Sequence, residues 1–154
     1  MSQSIDERLS ELSIVLPAAI APIANYVPSV VSGNLLFISG QGAAGPDGGW
    51  LTGRVPDQTD PQEAYRRARA TGIRILSVAR RELGSLDRVA RVVKLVGFVN
   101  ATPDFVDHPS VINGCSDLFV EVFGERGRHA RSAVGVSSLP VNLSVEIEAI
   151  FEIR

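Results

Sequence analysis

The segment VEIEAIFEI at residues 145–153 alternates strictly between two kinds of side chain. Consecutive residues of a strand point to opposite faces of a sheet, so this strand has one apolar face and one largely acidic face. Such a strand needs a core on one side only. The pattern therefore predicts a sheet that helices cover on one face and leave open on the other, to solvent or to another subunit.

Two helices are predicted to supply the cover. The residues DPQE at 60–63 provide an N-cap, a proline at the first helical position and an acid in the first turn. Gly84 is a typical helix stop, so this helix is expected to end at Leu83. A second helix is expected over residues 110–123, with Gly124 as its stop.

The strands are expected in three places. Residues 25–41 indicate two strands around a turn at 32–34, residues 90–101 a central strand, and residues 129–154 a hairpin. The resulting order, β-β-α-β-α-β-β, predicts an α+β fold with both helices on one face of a mixed sheet.

The N-terminal 19 residues are expected to form a short helix and an extended lead-in. Ser4 and Glu7 have the spacing of a capping box, and the prolines of IVLPAAIAP at 14–22 stop the helix. A chain of 154 residues is expected to form a single domain over residues 1–154.

Composition limits the classes of function. The net charge of -2 does not indicate the excess of basic residues that is typical of proteins that bind nucleic acid. No apolar run approaches the roughly 20 residues that cross a membrane, and the N-terminus is polar, so a cytoplasmic protein is expected. The single cysteine, Cys115, rules out an intrachain disulfide. Its position on an apolar helical stripe favours packing over nucleophilic catalysis.

The first long helix carries six arginines, and two roles are possible for them. They could form a surface for anions or RNA, or they could be a solvated helix face paired with acids such as Glu63 and Glu82. The second interpretation is favoured because charge runs on helices usually face water. The residues are Arg66, Arg67, Arg69, Arg74, Arg80 and Arg81.

Arg131 is the main candidate for chemistry. It shares a strand face with Ala133 and Gly135, which leaves a hollow beside a planar cation that grips carboxylates bidentately. Glu146 and Glu148 on the returning strand are expected either to hold Arg131 or to position a water near a ligand. The alternative is an interfacial salt bridge that only fixes packing.

Other candidates are weaker. His108 and His129 do not have the spacing of a metal site, and the glycine-rich segment 42–49 lacks the lysine and the helix of a phosphate loop. Ser39 and Asn113 are polar but allow structural roles. Any catalysis is therefore expected to need no metal or organic cofactor.

Three stretches resemble the RidA/YjgF family, also called the L-PSP endoribonuclease family. They are IANYVPSVVSGNLLFISGQ at 23–41, RVVKLVGFVNATPDF at 91–105, and HARSAVGVSSLPVNLSVEIEAIFEI at 129–153. Together they cover about residues 20 to 154. The chain looks like a longer branch of that family with an added N-terminal helix.

The resemblance implies a chorismate-mutase-like fold and a homotrimer with ligand sites in the clefts between subunits. It also implies cofactor-free hydrolysis of reactive 2-imino acids to 2-keto acids and ammonia. By the same resemblance, Arg131 binds the substrate carboxylate and Glu146 positions or activates the attacking water. The remaining substrate-binding positions that match the family are Tyr26, Ser39, Asn113 and Ala133.

The sequence departs from the family at three places. Ala133 stands where many members have cysteine, which argues against a thiol role. His129 stands where proline is common, and it either contacts a ligand or caps the strand. The loop 44–59, with Trp50, does not match well and is expected to change what enters the cleft.

Three alternatives remain to imine hydrolysis. The first is a non-catalytic module that binds a small carboxylate metabolite. The second is an endoribonuclease, which the charge and the lack of a histidine pair make less favourable. The third is a structural trimer that acts through partners.

Overall fold

The helices and strands follow the predicted order. A computed structural model describes residues 3–22 and 24–154. The predicted α+β fold is confirmed, and the central strand and both long helices lie within two residues of their expected bounds. The elements are α1 Ile5–Glu11, β1 Ser29–Ser32, β2 Leu35–Gln41, α2 Pro61–Leu83, β3 Val89–Asn100, α3 His108–Phe123, β4 Ala130–Val136 and β5 Val145–Ile153.

Side-chain caps and prolines explain where the helices begin. At α1 the Ser4 hydroxyl accepts from the Glu7 amide, and the Glu7 carboxylate accepts from the Ser4 amide. This is the predicted capping box. At α2 the Asp60 carboxylate accepts from two amides of the first turn. Helix α3 starts at His108 rather than at 110, because Pro109 fits the first turn of a helix.

The five strands form one mixed sheet in the order β1-β2-β5-β3-β4. Strands β3 and β4 are parallel, and the other neighbours are antiparallel. The hairpin predicted over 129–154 is therefore wrong, since β4 pairs with β3, and β5 lies between β2 and β3. The connection 137–144 carries the chain across β3, with Val141 and Asn142 at positive φ. A strand that buries a whole face, as β5 does, is stabilised best in the middle of a sheet.

Helices α2 and α3 cover one face of the sheet. Gly97 of β3 lies under Ile112, where a side chain would collide, and Gly114 of α3 lies against the Tyr65 carbonyl of α2. Cys115 is fully buried between these layers, and burial raises the pKa of its thiol. Its position therefore agrees with the predicted packing role.

The opposite face of the sheet is open, as predicted. Apolar side chains lie here beside the acids of β5, and the exposed fractions are 51% for Val30, 39% for Phe37 and 43% for Val134. Register places these residues on one face, because Val30 pairs with Phe37, Phe37 with Ile150, and Phe98 pairs with both Glu146 and Val134. Within the described residues, no helix combines the length and apolar character needed to cross a membrane.

Candidate functional site

Arg131 lies on the helix-covered side of β4. It is opposite Leu95, whose side chain is fully buried. One guanidinium nitrogen donates to Asn113 Oδ1 at 2.8 Å and to Ser116 Oγ at 3.1 Å, and the other donates to the Pro109 carbonyl at 3.5 Å. Helix α3 thus fixes the orientation of the cation, and it brings Asn113, a substrate-binding position by the resemblance, into contact with Arg131.

Ser116 and His129 form a hydrogen-bonded pair beside Arg131. Ser116 Oγ is 2.9 Å from His129 Nε2, and His129 Nδ1 is 2.6 Å from the Gly127 carbonyl. A carbonyl only accepts, so Nδ1 carries the proton and Nε2 accepts from Ser116. Burial lowers the pKa of His129, and the charge of Arg131 adds to that effect, while the Gly127 hydrogen bond opposes it. These bonds tie His129 to α3 and to the turn before β4, and its side chain also faces the cleft beside Arg131, so both roles expected for it stay open.

An open cleft of about 250 Å³ lies over this cluster. Arg131, His129 and Ser116 line it. Ala133 follows Arg131 on the same face of β4 and packs against the core. Asp117, which accepts a hydrogen bond from Tyr65, also lines this cleft, and no acidic side chain among the described residues forms an ion pair with Arg131.

Glu146 lies in a second cleft, of about 470 Å³. Burial raises the pKa of its carboxyl group, and the neighbouring Glu148 raises it further. Tyr26, Ser39 and Gly40 line the same cleft, as does Trp50 of the loop that matched the family poorly. Three of the predicted site residues are therefore brought together here.

Ser39 positions the chain that carries Tyr26. Its hydroxyl donates to the Val27 carbonyl at 2.7 Å, and its amide donates to the Pro28 carbonyl at 3.0 Å. Tyr26 remains 46% exposed at the mouth of the cleft. The hydroxyl of Ser39 thus has a structural partner within the chain.

Arg131 and Glu146 lie on opposite faces of the sheet within one chain. Glu146 pairs with Phe98 on the open face, whereas Arg131 pairs with Leu95 on the covered face. Of the two roles expected for Glu146 and Glu148, holding Arg131 is therefore wrong within this chain, because that expectation assumed a hairpin. Arg131 and Glu146 face separate clefts.

Trp50 and Arg74 form a contact that was not predicted from the sequence. The guanidinium carbon of Arg74 lies 5.3 Å from the centre of the Trp50 ring. Ser116 was also missed, although its spacing of three residues from Asn113 on a predicted helix places both on one face. No sequence signal joins Trp50 to Arg74, because the loop between them is irregular.

The other arginines of α2 mostly make ion pairs. Arg66 and Arg67 contact Glu63, Arg69 contacts Glu121 of α3, and Arg80 contacts Asp6 of α1. This arrangement favours the predicted solvated helix face over an RNA surface. Among the described residues, no cluster of three His, Cys, Asp or Glu side chains is arranged to hold a metal ion.

Comparison with known proteins gives a consistent result. A family model described as Endoribonuclease L-PSP matches residues 16–153. Protein TCP17 of Trypanosoma cruzi is 46% identical over 154 residues, which are 99% of this chain and 96% of that protein. A 2-iminobutanoate/2-iminopropanoate deaminase of Dermatophagoides farinae is 31% identical over 142 residues, covering 92% of this chain and 95% of that protein.

A solved structure has the same fold. The protein Atu1372 of Agrobacterium tumefaciens, described as having unknown function, superposes with a TM-score of 0.89 at 48% sequence identity. The match covers 97% of this chain and 92% of that one.

Proposed function

This chain belongs to the Endoribonuclease L-PSP family, also known as RidA/YjgF, and we propose that it hydrolyses 2-imino acids to 2-keto acids and ammonia at clefts between the subunits of a homotrimer. The observation that carries the proposal is the separation of Arg131 and Glu146 onto opposite faces of the sheet. A second copy that brings its Arg131 edge to the Glu146 cleft would complete the site.

The open sheet face supports assembly. Its apolar side chains are about half exposed, and contiguous apolar surface of this kind is typical of interfaces. Strand β4 is an edge of the sheet and carries Val134 on the open face and Arg131 on the other. A neighbour that covers the open face along β4 therefore also approaches Arg131.

The chemistry of the two halves is complementary. Arg131 binds the carboxylate of the imino acid through two parallel N–H···O bonds. A water near Glu146 adds to the imine carbon, with its proton passing to the carboxylate. The proton then passes to nitrogen and gives a carbinolamine. Glu146 next accepts the proton of the carbinolamine hydroxyl group and delivers it to the amino group, so that the C–N bond breaks, the C=O bond forms and ammonia leaves the keto acid. A raised pKa makes Glu146 a better base near neutral pH than an ordinary glutamate.

The test is a coupled assay in which an amino-acid oxidase generates 2-imino acids and semicarbazide traps them. The wild type is expected to reduce semicarbazone formation. Arg131→Ala should lower kcat/KM by about 100-fold, and Glu146→Gln by about 100-fold or more. Arg81→Ala, at an exposed position of α2, is the matched control.

The outcomes separate the candidate functions. If no imine is hydrolysed faster, deamination is ruled out. Carboxylates that still raise Tm in the wild type and not in Arg131→Ala would then indicate the non-catalytic carboxylate-binding module. Full activity in Arg131→Ala would contradict the carboxylate clamp.

A further inference from the structure

Arg74 differs from the other α2 arginines in its surroundings. It is half-buried, and within the described residues no acidic side chain forms an ion pair with it. Its pKa is lowered by burial alone. Burying a guanidinium without a carboxylate is costly, and an anion that binds to it offsets part of that cost.

The contact with Trp50 leaves the N–H groups of Arg74 available to a ligand. The guanidinium carbon is 5.3 Å from the ring centre, so the indole interacts with the cation itself. An arginine held against an aromatic ring keeps its N–H groups for a carboxylate, which the planar group binds bidentately. Trp50 therefore positions Arg74.

A small cavity lined by Arg74 adjoins the Glu146 cleft. It has a volume of about 50 Å³, room for a few waters or one carboxylate group. Tyr26, Gly40, Gly42 and Trp50 line both this cavity and the Glu146 cleft. The shared residues make the cavity and the cleft neighbours, so Arg74 lies beside the Glu146 cleft.

We propose that Arg74 binds a second carboxylate, so that the preferred substrates are dicarboxylic 2-imino acids such as the imines of aspartate and glutamate. This inference rests on the proposed function, with the partner subunit's Arg131 holding the carboxylate next to the imine carbon. Arg74 holds the distal carboxylate. The reaction is unchanged, with one water consumed and one ammonia released per imine.

The test compares imines of aspartate or glutamate with the imine of alanine in the coupled assay. Arg74→Met keeps the length of the side chain and removes the charge. It is expected to lower kcat/KM at least tenfold for the dicarboxylic imines and less than twofold for the alanine imine. Arg81→Met on the same helix is the matched control, and Trp50→Leu should act in the same direction as Arg74→Met.

A separate binding measurement distinguishes failure of this inference from failure of the proposed function. Thermal unfolding with 2-oxoglutarate and with 2-oxobutyrate needs no turnover. The dicarboxylate is expected to raise the Tm of the wild type more, and Arg74→Met is expected to remove that difference. Equal effects of Arg74→Met on both classes of imine, or an unchanged difference in Tm, would overturn the second carboxylate site, whether or not imines are hydrolysed.

Discussion

Gly40 of β2 and Glu146 of β5 lie so close that a Cβ on residue 40 would overlap the Glu146 carboxylate. The pairing of β2 with β5 is irregular between Ile38 and Gln41, and this irregularity includes Gly40. A side chain at position 40 would therefore compete with the acid for the same space. The glycine leaves Glu146 room to line the cleft.

Gly40→Ala is expected to displace the Glu146 carboxylate and to lower imine hydrolysis by about 100-fold, comparable to the loss of a positioned general base. The fold should persist, because the collision involves the end of a flexible side chain. Kinetics and thermal unfolding of the purified variant check both points. Gly49→Ala, where a Cβ would make ordinary contacts only, is the control. Wild-type activity in Gly40→Ala would mean that this carboxylate position is not required.

Strand β5 shows how far the sequence determines the fold. Its strict alternation predicted one covered face and one open face, and both are observed. The same alternation gives no information on which strand pairs with it. Adjacency in sequence suggested β4, whereas burial of the whole apolar face favours a place between β2 and β3. The same error underlies the expectation that Glu146 or Glu148 holds Arg131.

Candidate residues could be recognised in the sequence where they are unusual for their local element. Arg131, Glu146 and Glu148 are charged residues within strands, so the pattern identified all three, and the family resemblance selected Glu146 from the two acids. Trp50 and Arg74 are ordinary for a loop and a helix, and only the path of an irregular loop brings them together. Gly40 is similar, because its role depends on the register between β2 and β5.

Mixed trimers test whether the site combines residues of two subunits. Arg131→Ala and Glu146→Gln are each expected to be inactive, but a heterotrimer of the two contains one interface with both native residues. Random association of equal amounts should restore about a quarter of the wild-type activity. Co-refolding followed by the imine assay measures this value.

The control mixes Arg131→Ala with the Arg131→Ala, Glu146→Gln double variant, which cannot create a native site. No recovery in the first mixture, with trimers verified by light scattering, would contradict a shared site.

The open face should determine the oligomeric state. Val134→Glu places a charge beside Phe98 on this face, and burying an unpaired carboxylate in an interface is costly. We expect smaller species in size-exclusion chromatography with light scattering and a parallel loss of activity. Val15→Glu, at a residue that is 85% exposed outside the sheet, should leave the assembly unchanged. A wild-type elution profile for Val134→Glu would exclude this face from the interface.

His129 should give the folded state a pH dependence below neutrality. Burial lowers the pKa of His129 below its ordinary value of 6.5, so the unfolded chain binds the proton more readily than the folded one. The free energy of unfolding should therefore fall as the pH drops from about 6.5 towards the folded pKa, and level off below it. The carboxyl group of Glu146, whose pKa is raised, makes the free energy of unfolding fall as the pH rises above 4.5. This contribution has the opposite sign to that of His129, and it is the same in all variants compared. Urea unfolding between about pH 7.5 and about pH 5 measures this dependence. In His129→Gln the free energy of unfolding is expected to change less over this range. In the control His108→Gln it is expected to fall as in the wild type, because His129 is intact. An unchanged slope in His129→Gln would show that the Ser116–His129 pair does not control this titration.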